Sequence, residues 1–220
     1  MSSFDFEAVI FDIDGVILDS MSLWEDLGVR YLRSFGITPE EGLNVKLFAM
    51  SMEQGAEYLS SNYKELGKSA SELLVELRDL IRNFYLDEVL AKNGAVEFLE
   101  YLSSKGIRIT AATSSPHDYV EGALGRLNLL KHFERIFTTT EVGESKHSPL
   151  IYNLACRSMD ATPARTIVCE DSLYALKTAS KAGYITIGVF DASGEKNQEE
   201  LKTSSSIYVR DLSEAIKALA

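Results

Sequence analysis

The sequence predicts an α/β fold, a doubly wound parallel sheet interrupted by one inserted helical domain, and three observations predict it. Ala8-Val9-Ile10-Phe11 is apolar without alternation, the pattern of a strand covered on both faces. From Ile107 onward, strand-like and helix-like segments alternate, as in a chain of βα units. Between Asp19 and about Leu90 no strand-like run occurs, and that stretch far exceeds the roughly dozen residues a crossover needs. The expected division is therefore a core over 1–19 and 91–220 and a helical domain over 20–90.

Taken in order, the first strand runs into Asp12-Ile13-Asp14-Gly15-Val16. In open α/β sheets the ligand crevice lies beyond the carboxyl ends of the strands, so both carboxylates are delivered there, repelling each other unless a cation or proton intervenes. Gly15 lets the backbone leave the strand where a side chain would obstruct. After Ser20, the residues Leu23, Trp24, Leu27, Val29, Tyr31 and Leu32 form a helical apolar face that Gly36 and Pro39 end. Further helices are expected over 38–50, 52–63, 69–86 and 94–105, with Ser69 and Glu72 as a capping box. Strands are expected over 107–113, 135–139, 166–169, 185–189 and 207–209. Helices are expected over 119–127, 149–159, 174–182 and 212–219, with Thr203 to Ser206 a polar surface turn.

Composition narrows the function classes. At 220 residues the chain can bury a substantial core. A formal net charge of -11 argues against sequence-independent nucleic-acid binding, which needs clustered Lys and Arg. The same charge means that chemistry on a phosphate would want a metal cation. No apolar run approaches the roughly 20 residues that span a bilayer, and no basic segment leads an apolar one. The protein is expected to be cytoplasmic and monomeric, with no membrane and no nucleic-acid partner. Cys156 and Cys169, without CxxC spacing, read as buried reduced thiols.

Strand ends carry the chemistry. The strand from Ile107 ends in Thr113-Ser114-Ser115-Pro116, either an anion cradle of hydroxyls and backbone amides or a helix cap by Ser114 or Ser115. The loop after the third strand carries Lys146, and the fourth strand ends in a second acidic pair, Glu170-Asp171-Ser172. Singly, each reads as a cap or a solvated charge. Jointly, two acidic pairs, hydroxyls and a lysine on one sheet edge are what metal-assisted phosphoryl transfer requires.

This ordered set, Asp12-Ile13-Asp14-Gly15-Val16, Thr113-Ser114-Ser115, Lys146 and Glu170-Asp171-Ser172, resembles the four motifs of the haloacid dehalogenase (HAD) superfamily, in its β-phosphoglucomutase-like subfamily with a helical cap. The resemblance implies a Rossmann-like core and a phosphatase acting on a small phosphorylated metabolite such as a sugar phosphate. It implies that Asp12 is the nucleophile forming an aspartyl-phosphate and Asp14 the general acid/base. Mg²⁺ would be held by Asp12, the Asp14 carbonyl, Asp171 and Glu170, while Thr113, Ser114 and Lys146 would bind the phosphoryl group. The chain departs from the pattern at His147-Ser148-Pro149-Leu150, where relatives often read Pro-x-Pro-Asp, and at Ala175, near a frequent Gly.

Mutases of this subfamily resemble a phosphatase with a linker His and a cap Arg added. Trp24 and Met52 occupy those positions here, so hydrolysis is expected, with a β-phosphoglucomutase-type mutase as the alternative. Trp24, Met50 and Met52 are candidates for substrate specificity or for cap packing. The cap linker has no obvious Schiff-base lysine, against phosphonate cleavage. A receiver-like phospho-acceptor shares the acidic pair, Thr/Ser and Lys but lacks an insertion after Asp19, and a catalytically silent binding protein is at odds with the complete set of catalytic residues. No role is assigned to His117, His132 or His147.

Overall fold

A computed structural model describes residues 5–219. The chain forms two compact units, one of Met1–Asp19 with Val89–Ala220 and one of Ser20–Glu88. The first unit is built on six strands, β1 (Ala8–Phe11), β2 (Arg108–Thr113), β3 (Arg135–Thr138), β4 (Thr166–Glu170), β5 (Ile185–Val189) and β6 (Ile207–Val209). They form one parallel sheet in the order β3-β2-β1-β4-β5-β6. β1 therefore lies between β2 and β4, at the point where the winding of the sheet reverses and a ligand crevice opens.

The uniformly apolar β1 has a structural reason. Ala8 and Ile10 join a core with Tyr152, Ala155, Cys156 and Val168. Phe11, whose side chain alternates with that of Ile10, packs edge-on against Phe98 at 5.7 Å and Phe133 at 6.2 Å. Both faces are covered, so neither asks for a polar residue.

The second unit holds α1 (Met21–Ser34), α2 (Leu43–Phe48), α3 (Met52–Asn62) and α4 (Ala70–Asn83). The Ser69–Glu72 capping box is present on α4, and a second, Ser51–Gln54, starts α3. The helix expected over 38–50 is cut to α2, since Pro39 lies upstream and Gly42 adopts the left-handed conformation with φ 75°. The helix expected over 69–86 ends at Asn83 and continues as a π-helical turn, Phe84–Glu88.

The remaining helices belong to the first unit: α5 (Ala95–Ser104), α6 (His117–Arg126), α7 (Thr139–Val142), α8 (Leu150–Ser158), α9 (Leu173–Lys181), α10 (Gln198–Ser204) and α11 (Leu212–Leu219). Two correct the sequence reading. β3 stops at Thr138, whose side chain caps α7 through a capping box with Glu141. The expected turn of Thr203 to Ser206 lies half within α10, which Asn197 caps and which ends at Ser204. α8 packs across β1, β2 and β3, and α9 against β4 and β5.

The segments on either side of the insertion are tied to each other. Asp19 N donates to Leu90 O and Lys92 N to Ile17 O, each at 2.9 Å, and Leu18 forms an antiparallel bridge with Ala91. Both cysteines are buried and unpaired, and burial raises the Cys169 thiol pKa well above its ordinary value.

Candidate active site

The residues singled out in the first unit converge on the carboxyl ends of β1, β2 and β4. Asp12 follows β1 directly, its N–H held by Cys169 O at 2.9 Å. The pairing of Phe11 with Cys169 puts Asp12 beside Glu170, the last residue of β4. Lys146 reaches across from the loop before α8 and binds both, at 2.7 Å to Asp12 Oδ1 and 2.9 Å to Glu170 Oε1. Asp12 Oδ1 also accepts from Ile13 N at 2.7 Å. The lysine is 2% exposed and Glu170 fully buried, so the pair is shielded from solvent and its Coulomb attraction little screened.

Burial works against the Lys146 charge, but Asp12 and Glu170 outweigh it and hold the ammonium pKa above its ordinary value. Asp12 is raised well above the usual carboxylate range by burial and by Glu170, against the pull of Lys146. Asp171 is pushed up to about 8 by burial and Glu170. These shifts have one origin: three buried carboxylates face one ammonium.

Asp12, Glu170 and Asp171 each offer an oxygen within 4.8 Å of the others. This all-oxygen donor set with excess negative charge suits a hard divalent cation such as Mg²⁺. The residues present therefore fit the metal that the motifs imply.

Asp14 faces a different set. Ser115 Oγ donates to its Oδ2 at 2.6 Å, and Thr113 Oγ1 stands at 3.5 Å from the same atom. Ser115 N in turn donates to Thr113 Oγ1 at 3.0 Å. Thr113 and Ser115 are buried, whereas Ser114 is exposed. The N-cap of α6 is Pro116, which makes no side-chain bond there. Ser115, which the sequence places either in an anion cradle or at a helix cap, is thus brought against Asp14 by its hydroxyl. A second such residue is Tyr152 on α8, whose hydroxyl donates to Glu170 Oε1 at 2.6 Å. Burial, then the Glu170 charge, raises the phenol pKa, so it remains a donor.

His147, next to Lys146, stacks on Tyr174 of α9 with ring centroids 4.5 Å apart. This contact crosses from the lysine loop to the element that follows Asp171. His117 pairs with Glu141 at 3.0 Å and His132 with Ser103 at 2.8 Å.

Trp24 and Met52 belong to the second unit. With Met50, Leu47 and Phe48 they line an apolar cavity of about 190 Å³ within it. Trp24 Nε1 donates to Tyr85 OH at 3.1 Å.

Three comparisons bear on this arrangement. The model of a family described as haloacid dehalogenase-like hydrolase matches residues 9–189. A phosphorylated carbohydrates phosphatase of Thermotoga maritima is 30% identical over 80% of this chain and 82% of its own. Validoxylamine A 7'-phosphate phosphatase of Streptomyces hygroscopicus subsp. limoneus is 24% identical over 95% of each chain. Among solved structures, one from Thermotoga maritima, described as a candidate β-phosphoglucomutase, superposes with a TM-score of 0.79 at 26% identity, covering 97% of this chain and 98% of its own.

Proposed function

Because the chain belongs to the haloacid dehalogenase-like hydrolase family, we propose that it hydrolyses the phosphate ester of a small metabolite, a sugar phosphate, with Mg²⁺ and through an aspartyl-phosphate on Asp12. The observation that carries this reading is the separate surroundings of the two N-terminal carboxylates. Asp12 is gripped by Lys146 beside Glu170 and Asp171, while Asp14 is held apart by the Ser115 hydroxyl. The relative that acts on phosphorylated carbohydrates supports the substrate class.

In the proposed reaction, Asp12 attacks phosphorus and Asp14 gives its proton to the departing alcohol oxygen. Asp14 then takes a proton from the water that attacks the same phosphorus, which frees Asp12 and releases phosphate. Lys146, with donors from Thr113 and Ser114, balances the phosphoryl charge. Mg²⁺, held by Asp12, the Asp14 carbonyl, Asp171 and Glu170, would neutralise phosphoryl oxygens.

The alternative is a mutase, which the Thermotoga neighbour's description supports. Against it, the positions expected to carry a linker His and a cap Arg hold Trp24, bonded to Tyr85, and Met52, in an apolar cavity. A hexose-phosphate isomerisation assay with a bisphosphate activator separates the two: product without free phosphate release would overturn hydrolysis. We further propose that the protein acts as a monomer in the cytoplasm. Among the described residues no helix is long and apolar enough to cross a membrane.

The decisive test is a panel of sugar and nucleotide phosphates assayed with Mg²⁺, with EDTA, and with Asp12→Asn. Turnover is expected to cease in EDTA and to fall by about 10⁴-fold or more in the variant, the scale of losing a nucleophile, with the circular dichroism spectrum unchanged. Retained activity in the variant would end the aspartyl-phosphate proposal, and a metal-independent rate would end the metal assignment.

A further inference from the structure

We propose that Lys92, Asp191 and Gly194 form a brace that fixes the Asp171 carboxylate and thereby sets the affinity of the acidic cluster for a divalent cation; this rests on the reading of Asp171 as a metal ligand.

Asp171 is 4% exposed and follows β4. The loop after β5 comes close to it. A Cβ built on Gly194 would stand 2.7 Å from Asp171 Oδ2, so the glycine backbone lies close against that carboxylate. One residue on, Glu195 Oε2 accepts from Leu173 N at 3.0 Å. Ser172 makes no side-chain cap to α9, and Glu195 satisfies the N–H of the helix's first residue from outside. The loop thus touches Asp171 at its side chain and the chain just beyond it at the backbone.

The loop's own shape depends on Asp191. Its Oδ1 accepts from Ser193 N and Gly194 N, both at 2.9 Å, which turns the backbone so that Gly194 points at Asp171. Its Oδ2 pairs with Lys92 Nζ at 2.5 Å, and Lys92 also donates to Phe190 O at 3.0 Å. The pair is nearly enclosed, with side chains 13% and 5% exposed, so solvent screens it little. Lys92 itself is fixed through its N–H to Ile17 O. The brace runs from the segment returning from the helical insertion, through an ion pair, to the carboxylate of a proposed metal ligand. Asp191 and Gly194 lie just beyond residues 9–189, which the family model matches.

Gly194→Ala is the direct probe. Gly194 is not among the positive-φ glycines, so alanine brings no backbone strain, and the atom its methyl meets first is the carboxylate oxygen, followed by Asp191 Cβ at 3.3 Å. Mg²⁺ binding to full-length protein, followed by isothermal titration calorimetry without substrate, is expected to weaken about tenfold, the lower end for loss of an outer support. The unfolding midpoint in EDTA is expected to stay unchanged. Lys92→Met is expected to weaken Mg²⁺ binding similarly, and Lys92→Arg to restore it, because arginine keeps the charge and the donors. Unchanged Mg²⁺ affinity in Gly194→Ala, or a Lys92→Met loss that arginine does not restore, overturns the brace while leaving the hydrolase reading intact. If the wild-type protein binds no Mg²⁺, the metal assignment falls and the brace with it.

Discussion

Asp14 is oriented by a hydroxyl one residue beyond the pair of phosphate donors that the motif suggests. The Ser115 bond of 2.6 Å joins a neutral donor to a carboxylate, a class worth about 1.5–3 kcal/mol. Ser115→Ala should therefore lower kcat by roughly tenfold or more, since 1.4 kcal/mol is a factor of ten, with little change in KM if Asp14 moves protons rather than binding substrate. A changed KM with an unchanged kcat would place Ser115 in ground-state binding instead. Asp12, Lys146, Glu170 and Asp171 were legible in the sequence because they occur jointly, at or soon after the ends of strands on one sheet edge. Ser115 and Tyr152 were not, because their importance depends on which way a side chain turns. Ser114 and Ser115 are chemically the same, and only the fold buries one and exposes the other.

Elements were legible where their patterns were long or chemically marked. β1 announced itself by burial on both faces, and α4 by its capping box. α7 and α10 were missed because they are four and seven residues long, too short to show a helical period, and their caps sit in polar stretches that also suit turns. A single residue tests how two elements meet. Gly94 starts α5 with φ 78°, and a Cβ there would lie 2.2 Å from Ser213 N at the start of α11. Backbone cannot retreat as a side chain can, so Gly94→Ala combines left-handed strain with a backbone collision. We expect a loss of about 3 kcal/mol or more in urea unfolding; a loss below the cost of the φ angle alone would mean that α11 yields freely.

For the whole molecule, the parallel sheet follows from the alternation of segments, and the candidate site lies where the winding reverses beside β1. What periodicity leaves unread is the balance of charge that folding brings together. Asp12 and Asp171 have folded pKa values raised above those of the unfolded chain. The folded state therefore binds protons more tightly, and the stability this contributes is present at low pH and lost as pH rises through the folded values. In EDTA, the unfolding free energy should decline between about pH 4, the ordinary carboxylate value, and about 8, the value for Asp171. Saturating Mg²⁺ should flatten that decline by replacing the protons, and urea unfolding across the pH series measures both. A metal-free protein whose stability rises over the same interval would contradict the charge balance described for the site.

The paired segments that flank the helical insertion, Ile17 to Asp19 against Leu90 to Lys92, act as a drawstring. With its two ends already tied, the enclosed chain carries a closure entropy that grows only logarithmically, about 0.6 kcal/mol for each doubling of length. The insertion can thus lengthen or shorten at little entropic cost while β1 and β2 keep their register.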